Sequence, residues 1–308
     1  MSTIEKTFNN GEVIIKEGDT GNTFYQLLEG NVAVYKNYGE KDEAAIATLG
    51  PGQYFGEMAV IETYPRSTTV VAEGDVKVTE ISADELNEYI TQHPDKIIEI
   101  MRLLGNRLKA MTADYNEVKK VLDDVRKADS KSNYESFFAN MMKKSIFLTA
   151  KNGRLERPSV ESLREASEAV RKQSSGDEVE AFRYGTIIFK EGEVGKCMYI
   201  VHSGSVTIYS NYGQVNELKL TEVTPVACFG ELGLISGEQR SATAVVESSE
   251  AHVEIIYPED LENIFKTCPV KIDMILKNLS YRLRSITYDY FRACQEIYKA
   301  TGHKAEDD

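Results

Sequence analysis

Two short segments bring together a glycine, an acid and, nine residues after the acid, an arginine. The first reads Phe55-Gly56-Glu57-Met58-Ala59-Val60 and leads to Arg66. The second reads Phe229-Gly230-Glu231-Leu232-Gly233-Leu234 and leads to Arg240. A glycine lets the backbone approach a ligand closely. A short helix opening there would aim unpaired N–H groups at an anion. An arginine neutralises that anion through its planar fork of donors. An acid beside a phosphate is costly unless a hydroxyl donates to it, and a ribose 2′-hydroxyl does so. The set therefore suits a cyclic phosphate ester carried on a sugar. Two other readings exist for such a pattern: a decayed pocket whose Glu–Arg pair is a plain surface ion pair, and a metal-dependent cupin. The cupin needs clustered histidine ligands, whereas His93, His202, His252 and His303 are scattered.

The elements that hold these residues are duplicated. Gly11, Gly18, Gly21 and Gly30 fall on Gly185, Gly192, Gly195 and Gly204 at a constant offset of 174 residues. The same offset carries Asn37-Tyr38-Gly39 onto Asn211-Tyr212-Gly213 and Arg66-Ser67 onto Arg240-Ser241. One inserted residue later, Pro94, Arg107-Leu108 and Asp114-Tyr115 pair with Pro269, Arg282-Leu283 and Asp289-Tyr290. A fixed register across so many special residues indicates a duplication. Each copy opens with β-branched and aromatic runs between glycine turns, namely Val13–Ile15, Phe24–Leu28, Val32–Tyr35, Ser67–Ala72 and Val76–Ile81 in the first. That punctuation predicts a mainly β architecture with helices: two jelly-roll barrels, each followed by a long helix. The predicted domains are residues 1–128, a helical connector over 129–181, and residues 182–308. The connector carries a helix-favouring stretch over Ser159–Gln173 and an apolar group, Phe137, Phe138, Met141 and Met142.

On these motifs both halves resemble the cyclic nucleotide-binding domain family, whose phosphate cassette has the form F-G-E-x-[AG]-L followed by R-[STA]-x-T-V. The first cassette, with Pro65-Arg66-Ser67-Thr68-Thr69-Val70, is similar to those of eukaryotic kinase regulatory subunits. The second, with Gln239-Arg240-Ser241-Ala242, is similar to the bacterial catabolite activator protein. The resemblance implies that Glu57 and Glu231 hold the ribose 2′-hydroxyl and that Arg66 and Arg240 bind the cyclic phosphate. It further implies that Ser67 and Ser241, with the amides of Gly56, Met58, Ala59, Gly230, Leu232 and Gly233, complete the phosphate shell. The hydroxyl after each arginine does not choose between cAMP and cGMP.

Heptad patterning follows each cassette. Ile97, Met101, Leu104, Leu108, Met111, Tyr115, Val118, Leu122 and Val125 alternate in steps of four and three, as do Ile272, Leu276, Leu279, Leu283, Ile286, Tyr290, Ala293, Ile297 and Ala300. Such a stripe predicts a coiled-coil seam, with Pro94 and Pro269 in the first turns. The expectation is that helix 95–126 pairs with helix 270–300 of the same chain, a monomer imitating a dimer. The alternative is a homodimer through the same helices. The family's helix contacts the base from this region, which makes Thr112 and Thr287 candidate base readers, with an ordinary flanking polar role as the alternative. Tyr115 and Tyr290 could stack on a base as lids, although their seam positions favour packing between helices.

Composition limits the remaining choices. The net charge of −13 excludes a general nucleic-acid surface. Cys197, Cys228, Cys268 and Cys294 form no C-x-x-C pair, so reduced thiols and no metal site are expected. No apolar run is long enough to span a membrane and the first residues lack a signal-peptide core, which predicts a cytoplasmic protein. The 18 residues after Tyr290 are too few for a helix-turn-helix domain, so direct DNA binding is not expected. The expected function is a non-catalytic sensor with two cyclic-nucleotide sites that signals through helix rearrangement to a separate protein effector. Its alternatives are a ligand-binding regulator of transcription acting through another chain and a degenerate scaffold.

Overall fold

The computed structural model describes residues 4–41, 43–57, 61, 65–82, 94–126, 157–173, 179–237 and 239–301. Met58, Ala59, the group Phe137, Phe138, Met141 and Met142, and most of the 129–181 connector lie outside these residues. Two compact units are present, one built from residues 1–86, 108–158 and 282–308, the other from 87–107 and 159–281.

The first unit carries strands β1 (Ile4–Phe8), β2 (Val13–Ile15), β3 (Thr23–Lys36), β4 (Ala44–Leu49), β5 (Tyr54–Phe55) and β6 (Thr69–Ser82). Two long strands replace four expected short ones. Phe24–Leu28 and Val32–Tyr35 are both part of β3, and β6 runs through the Glu73-Gly74-Asp75 break. They pair antiparallel along their length, with register shifts between Leu27 and Asn31. Gly30 makes the bend possible: its φ is +80°, and a Cβ there would lie 2.3 Å from the Asp75 carbonyl oxygen. Beyond the bend, β4 and β2 flank β3 and β6; before it, β5 and β1 do. Leu27, Val32 and Val78 are fully buried between the two layers, each contributing about 1.5–3 kcal/mol by leaving water.

The second unit shows the same wiring with the bends fully broken. Its strands are β7 (Val179–Arg183), β8 (Ile187–Phe189), β9 (Met198–Ser203), β10 (Val206–Ser210), β11 (Leu218–Val223), β12 (Ala227–Phe229), β13 (Thr243–Val246) and β14 (Glu250–Ile256). They form two four-stranded sheets, β11-β10-β13-β8 and β12-β9-β14-β7. This is a jelly roll of two facing sheets, not a closed barrel: each sheet has edges among the described strands. A short helix α3 (Glu231–Ser236) leaves β12. The helix-favouring stretch before this sandwich is helix α2 (Glu161–Gln173), which buries Ala166 and Val170. The Ser167 hydroxyl donates to the Val226 carbonyl at 2.7 Å and ties α2 down.

The heptad stretches are helices α1 (Pro94–Arg126) and α5 (Pro269–Thr301), the latter preceded by α4 (Leu261–Thr267). Every stripe position of α1 is buried or half-buried. In α5 the burial is wider than a seam: Lys271, Met274, Ile275, Asn278 and Ser280 are buried too, whereas Ala300 is exposed. These buried residues belong to the part of α5 that lies in the second unit, where the helix is enclosed on most sides. Lys271 is accommodated there because its Nζ donates to Glu254 of β14 at 2.7 Å. The other Glu254 oxygen is 2.9 Å from His202 of β9.

Within the first unit the C-terminal halves of α1 and α5 share a core. Val118 and Leu122 pack with Tyr290, Phe291, Ala293, Cys294 and Ile297, and Met111, Tyr115, Val121 and Val125 border them. Arg126 closes this seam with two 2.8 Å bonds, Nε and Nη2 each to one oxygen of Glu296. Tyr115 senses Asp289, and Tyr290 senses Asp114. Contacts thus rise together along both helices, and the two halves run in the same direction. Tyr290 is 1% exposed, and burial drives its phenol far above its ordinary value. It is a packing residue, not a lid.

Candidate functional site

Each cassette begins where a strand ends on glycine in the left-handed region. Gly56 follows β5 with φ +80°, and Gly230 follows β12 with φ +71° and caps α3. Their Cα positions face the arginine. A Cβ on Gly56 would come within 2.8 Å of Arg66 Nη1, and one on Gly230 within 2.9 Å of Arg240 Nη1. A side chain at either place would both strain the backbone and displace the cation.

The acids that follow are enclosed. Glu57 is 2% exposed and Glu231 1%; Arg66 and Arg240 are 7% and 6%. A surface ion pair is therefore not what these residues form. Burial pulls the Arg66 guanidinium below its ordinary value, and the nearby Tyr25, Glu57 and Asp19 oppose that shift. The acid and the arginine thus lie in one electrostatic neighbourhood.

Both arginines are held by main-chain carbonyls. Arg66 Nη1 donates to Gly56 O at 2.8 Å, and Nη2 donates to Thr23 O. Arg240 Nη1 donates to Gly230 O, and Nη2 donates to Cys197 O at 2.8 Å. A second clamp fixes the arginine's own backbone: Arg66 N donates to Asp19 O, and Gly18 N to Arg66 O. Arg240 N with Glu193 O, and Gly192 N with Arg240 O, repeat this. These bonds engage two of the five N–H donors of each guanidinium. The Nε–H is not among them and is a charged donor suited to phosphate.

Sequence reasoning missed several residues of this wall. Gly21 and Gly195 stood out as repeat markers, not as pocket residues. A Cβ on Gly21 would lie 2.5 Å from Arg66 Nη2, and one on Gly195 would lie 2.4 Å from the Gly233 Cα. Their recurrence in register was the available signal. Thr23, Cys197 and Phe189 also reach the arginines, and Ile15 lies beside Gly56, but these positions differ between the copies and carry no repeat signal. Ser67 and Ser241 are exposed beside their arginines. The Thr112 and Thr287 hydroxyls bond back along their own helices, to Leu108 O and Leu283 O at 2.7 Å each. Neither pocket contains a cluster of metal-binding side chains among the described residues.

The model of the cyclic nucleotide-binding domain matches residues 5–93 and again 179–268, more than half of the chain. The chain belongs to the cyclic nucleotide-binding domain family. It carries two such domains, and each contains one of the pockets described above. Over 239 residues it is 28% identical to a cAMP-dependent protein kinase regulatory subunit of Debaryomyces hansenii, covering 78% of this chain and 40% of that protein. A 73-residue stretch is 42% identical to the cAMP-dependent protein kinase type II regulatory subunit of Drosophila melanogaster, 24% of this chain and 19% of the relative. The chain thus spans less than half the length of these relatives. Among solved structures, the regulatory domain of Toxoplasma gondii PKA co-crystallised with cAMP is 20% identical. The alignment covers 88% of this chain and 82% of that one, with a TM-score of 0.27. Among the described residues, no helix is long and apolar enough to cross a membrane.

Proposed function

We propose that this chain is a non-catalytic regulatory protein that binds one cyclic nucleotide in each domain and passes the binding event to a separate protein. The observation that carries this reading is the pair of buried Glu–Arg constellations, Glu57 with Arg66 and Glu231 with Arg240, both present and both enclosed. A decayed domain would have no reason to keep an acid and a cation out of water twice, since burying charge is costly unless it serves a ligand or a structural bond. The glutamates would take the ribose 2′-hydroxyl. The arginines would take the cyclic phosphate, helped by the amides after Gly56 and Gly230.

cAMP is the favoured ligand because the similar proteins are cAMP-dependent kinase regulatory subunits by name. The same similarity makes a protein kinase catalytic chain the favoured effector. Nucleotide binding would shift a two-state equilibrium of the helices that follow the cassettes. The shared core of α1 and α5 favours a monomer in which the two helices pair within the chain.

Isothermal titration with cAMP and cGMP, on protein stripped of carried-over nucleotide by unfolding and refolding, tests the reading. Two equivalents of cAMP bound per chain is the expected result. No heat and no thermal stabilisation with either nucleotide would refute the sensor and leave a scaffold. Sedimentation equilibrium tests the monomer, since a dimer mass would move the helix pairing between chains.

A further inference from the structure

The two pockets hold their arginines with different side chains. Arg66 has an oxygen within reach: Nη2 lies 3.4 Å from Thr23 Oγ1, which itself donates to the Tyr25 hydroxyl at 3.3 Å. In the second pocket Cys197 replaces that threonine. Arg240 Nη2 is 3.7 Å from its sulfur, and the thiol donates to the Tyr199 hydroxyl at 3.2 Å. A thiol is a weak acceptor, so Arg240 loses the oxygen contact available to Arg66.

A ring stands in for it. The Arg240 guanidinium carbon lies 4.2 Å from the centre of the Phe189 ring and 5.6 Å from that of Tyr199. Phe189, Tyr199 and Phe229 pack on one another with centroids 5.0–6.0 Å apart, and all three are buried. They form a floor under the cation. Gly230 is tailored to it, for a Cβ there would lie 3.2 Å from both Phe189 Cε1 and Tyr199 Cδ2. The first pocket has Tyr25 stacked on Phe55 in the same way, but Ile15 occupies the place of Phe189. A branched alkyl group packs against a guanidinium without attracting its charge. A ring face does attract it, by about 0.5–2 kcal/mol depending on desolvation.

We propose that Phe189 is a positioning residue of the second pocket, holding the Arg240 plane flat so that its edge donors face the cyclic phosphate. The two pockets are therefore inequivalent. This inference rests on the two-site reading above. A guanidinium already confined to one plane loses less freedom when phosphate binds, which favours affinity. The first pocket reaches its arrangement through the Thr23 hydroxyl, without the ring.

The test uses the full chain in an Arg66→Ala background, so that only the second pocket reports, with cAMP as the titrant. Phe189→Leu is expected to weaken cAMP by about two- to thirty-fold, the range of a lost cation–π contact. Phe189→Tyr, which keeps the ring face, should bind within about twofold of the parent. Phe189→Ile serves if the leucine variant does not fold, because isoleucine occupies this place in the first domain. Equal losses in the tyrosine and leucine variants would mark Phe189 as mere packing and overturn the proposal, as would unchanged affinity in the leucine variant. An Arg66→Ala parent that binds no cAMP while folded would instead bring down the two-site reading itself.

Discussion

Replacing the pocket arginines tests both the site and the way it is built. From sequence alone, Arg66→Ala and Arg240→Ala should each abolish one site and leave the fold intact. The structure alters the second half of that expectation. Arg66 donates to the Gly56 and Thr23 carbonyls, and Arg240 to those of Gly230 and Cys197. A hydrogen bond to a charged group is worth about 1.5–3 kcal/mol, so each alanine forfeits about 3–6 kcal/mol. Water entering the vacated space satisfies part of the freed carbonyl demand, which leaves a net loss of about 2–4 kcal/mol. For units of this size that lowers the ligand-free melting midpoint by about 5–15 °C. Arg240→Ala should fall further than Arg66→Ala, because it also loses the ring contact with Phe189. Differential scanning calorimetry of nucleotide-free protein gives the midpoints, and titration calorimetry gives the stoichiometry. One cAMP per chain and a lowered midpoint is the expected pair of results. An unchanged ligand-free midpoint would refute the structural role, and retention of two sites in either variant would refute the assignment of the arginine.

Glu57→Gln and Glu231→Gln should each weaken cAMP about tenfold or more at one site, the worth of a charged hydrogen bond. They should barely change binding of 2′-deoxy-cAMP, and competition titration checks this. Gly195→Ala places a methyl 2.4 Å from the Gly233 Cα; overpacking of that kind costs about 1–3 kcal/mol. Denaturant titration and loss of the second site would register it together. Tyr290→Ala empties the centre of the α1–α5 core and should cost about 3–5 kcal/mol in urea unfolding. The Tyr209 hydroxyl donates to Glu247 at 2.7 Å, a bond that pushes its phenol up to about 12 from 10.0. A folded value above the unfolded one means the stabilisation is complete below pH 10 and is lost as pH rises toward 12. Tyr209→Phe should therefore flatten part of the stability loss in that window, measured as wild type minus variant.

Repetition made most of the site legible. Gly56, Glu57 and Arg66 could be named because Gly230, Glu231 and Arg240 recur at the same spacing, and the stripes of α1 and α5 because heptads survive single-sequence reading. What differs between the copies stayed hidden. Ile15 and Phe189, or Thr23 and Cys197, carry no repeated identity, and each sits far along the chain from the arginine of its pocket. Strand boundaries were misplaced for a related reason. A glycine in the left-handed region can end a strand or bend it, and the choice at Gly30 and Gly74 lies with pairing to a partner strand.

The glycine, the acid and the arginine could be read from the sequence as a candidate phosphate and ribose site, because residue type and spacing carry that chemistry; their burial is a finding of the structure. The duplicated jelly roll and the long helices could be read in the same way, since they are written in periodicities of two and of three and a half. Tertiary structure alone decided how the arginines are held. Their bonds run to main-chain carbonyls of Thr23 and Cys197, and main-chain atoms carry no sequence signature. The seam position of Tyr290 already favoured packing, and the structure adds which residues it packs against. Only the packed chain brings Phe189 under Arg240, and there a contact between residues 51 positions apart gives the second pocket a character the first does not share.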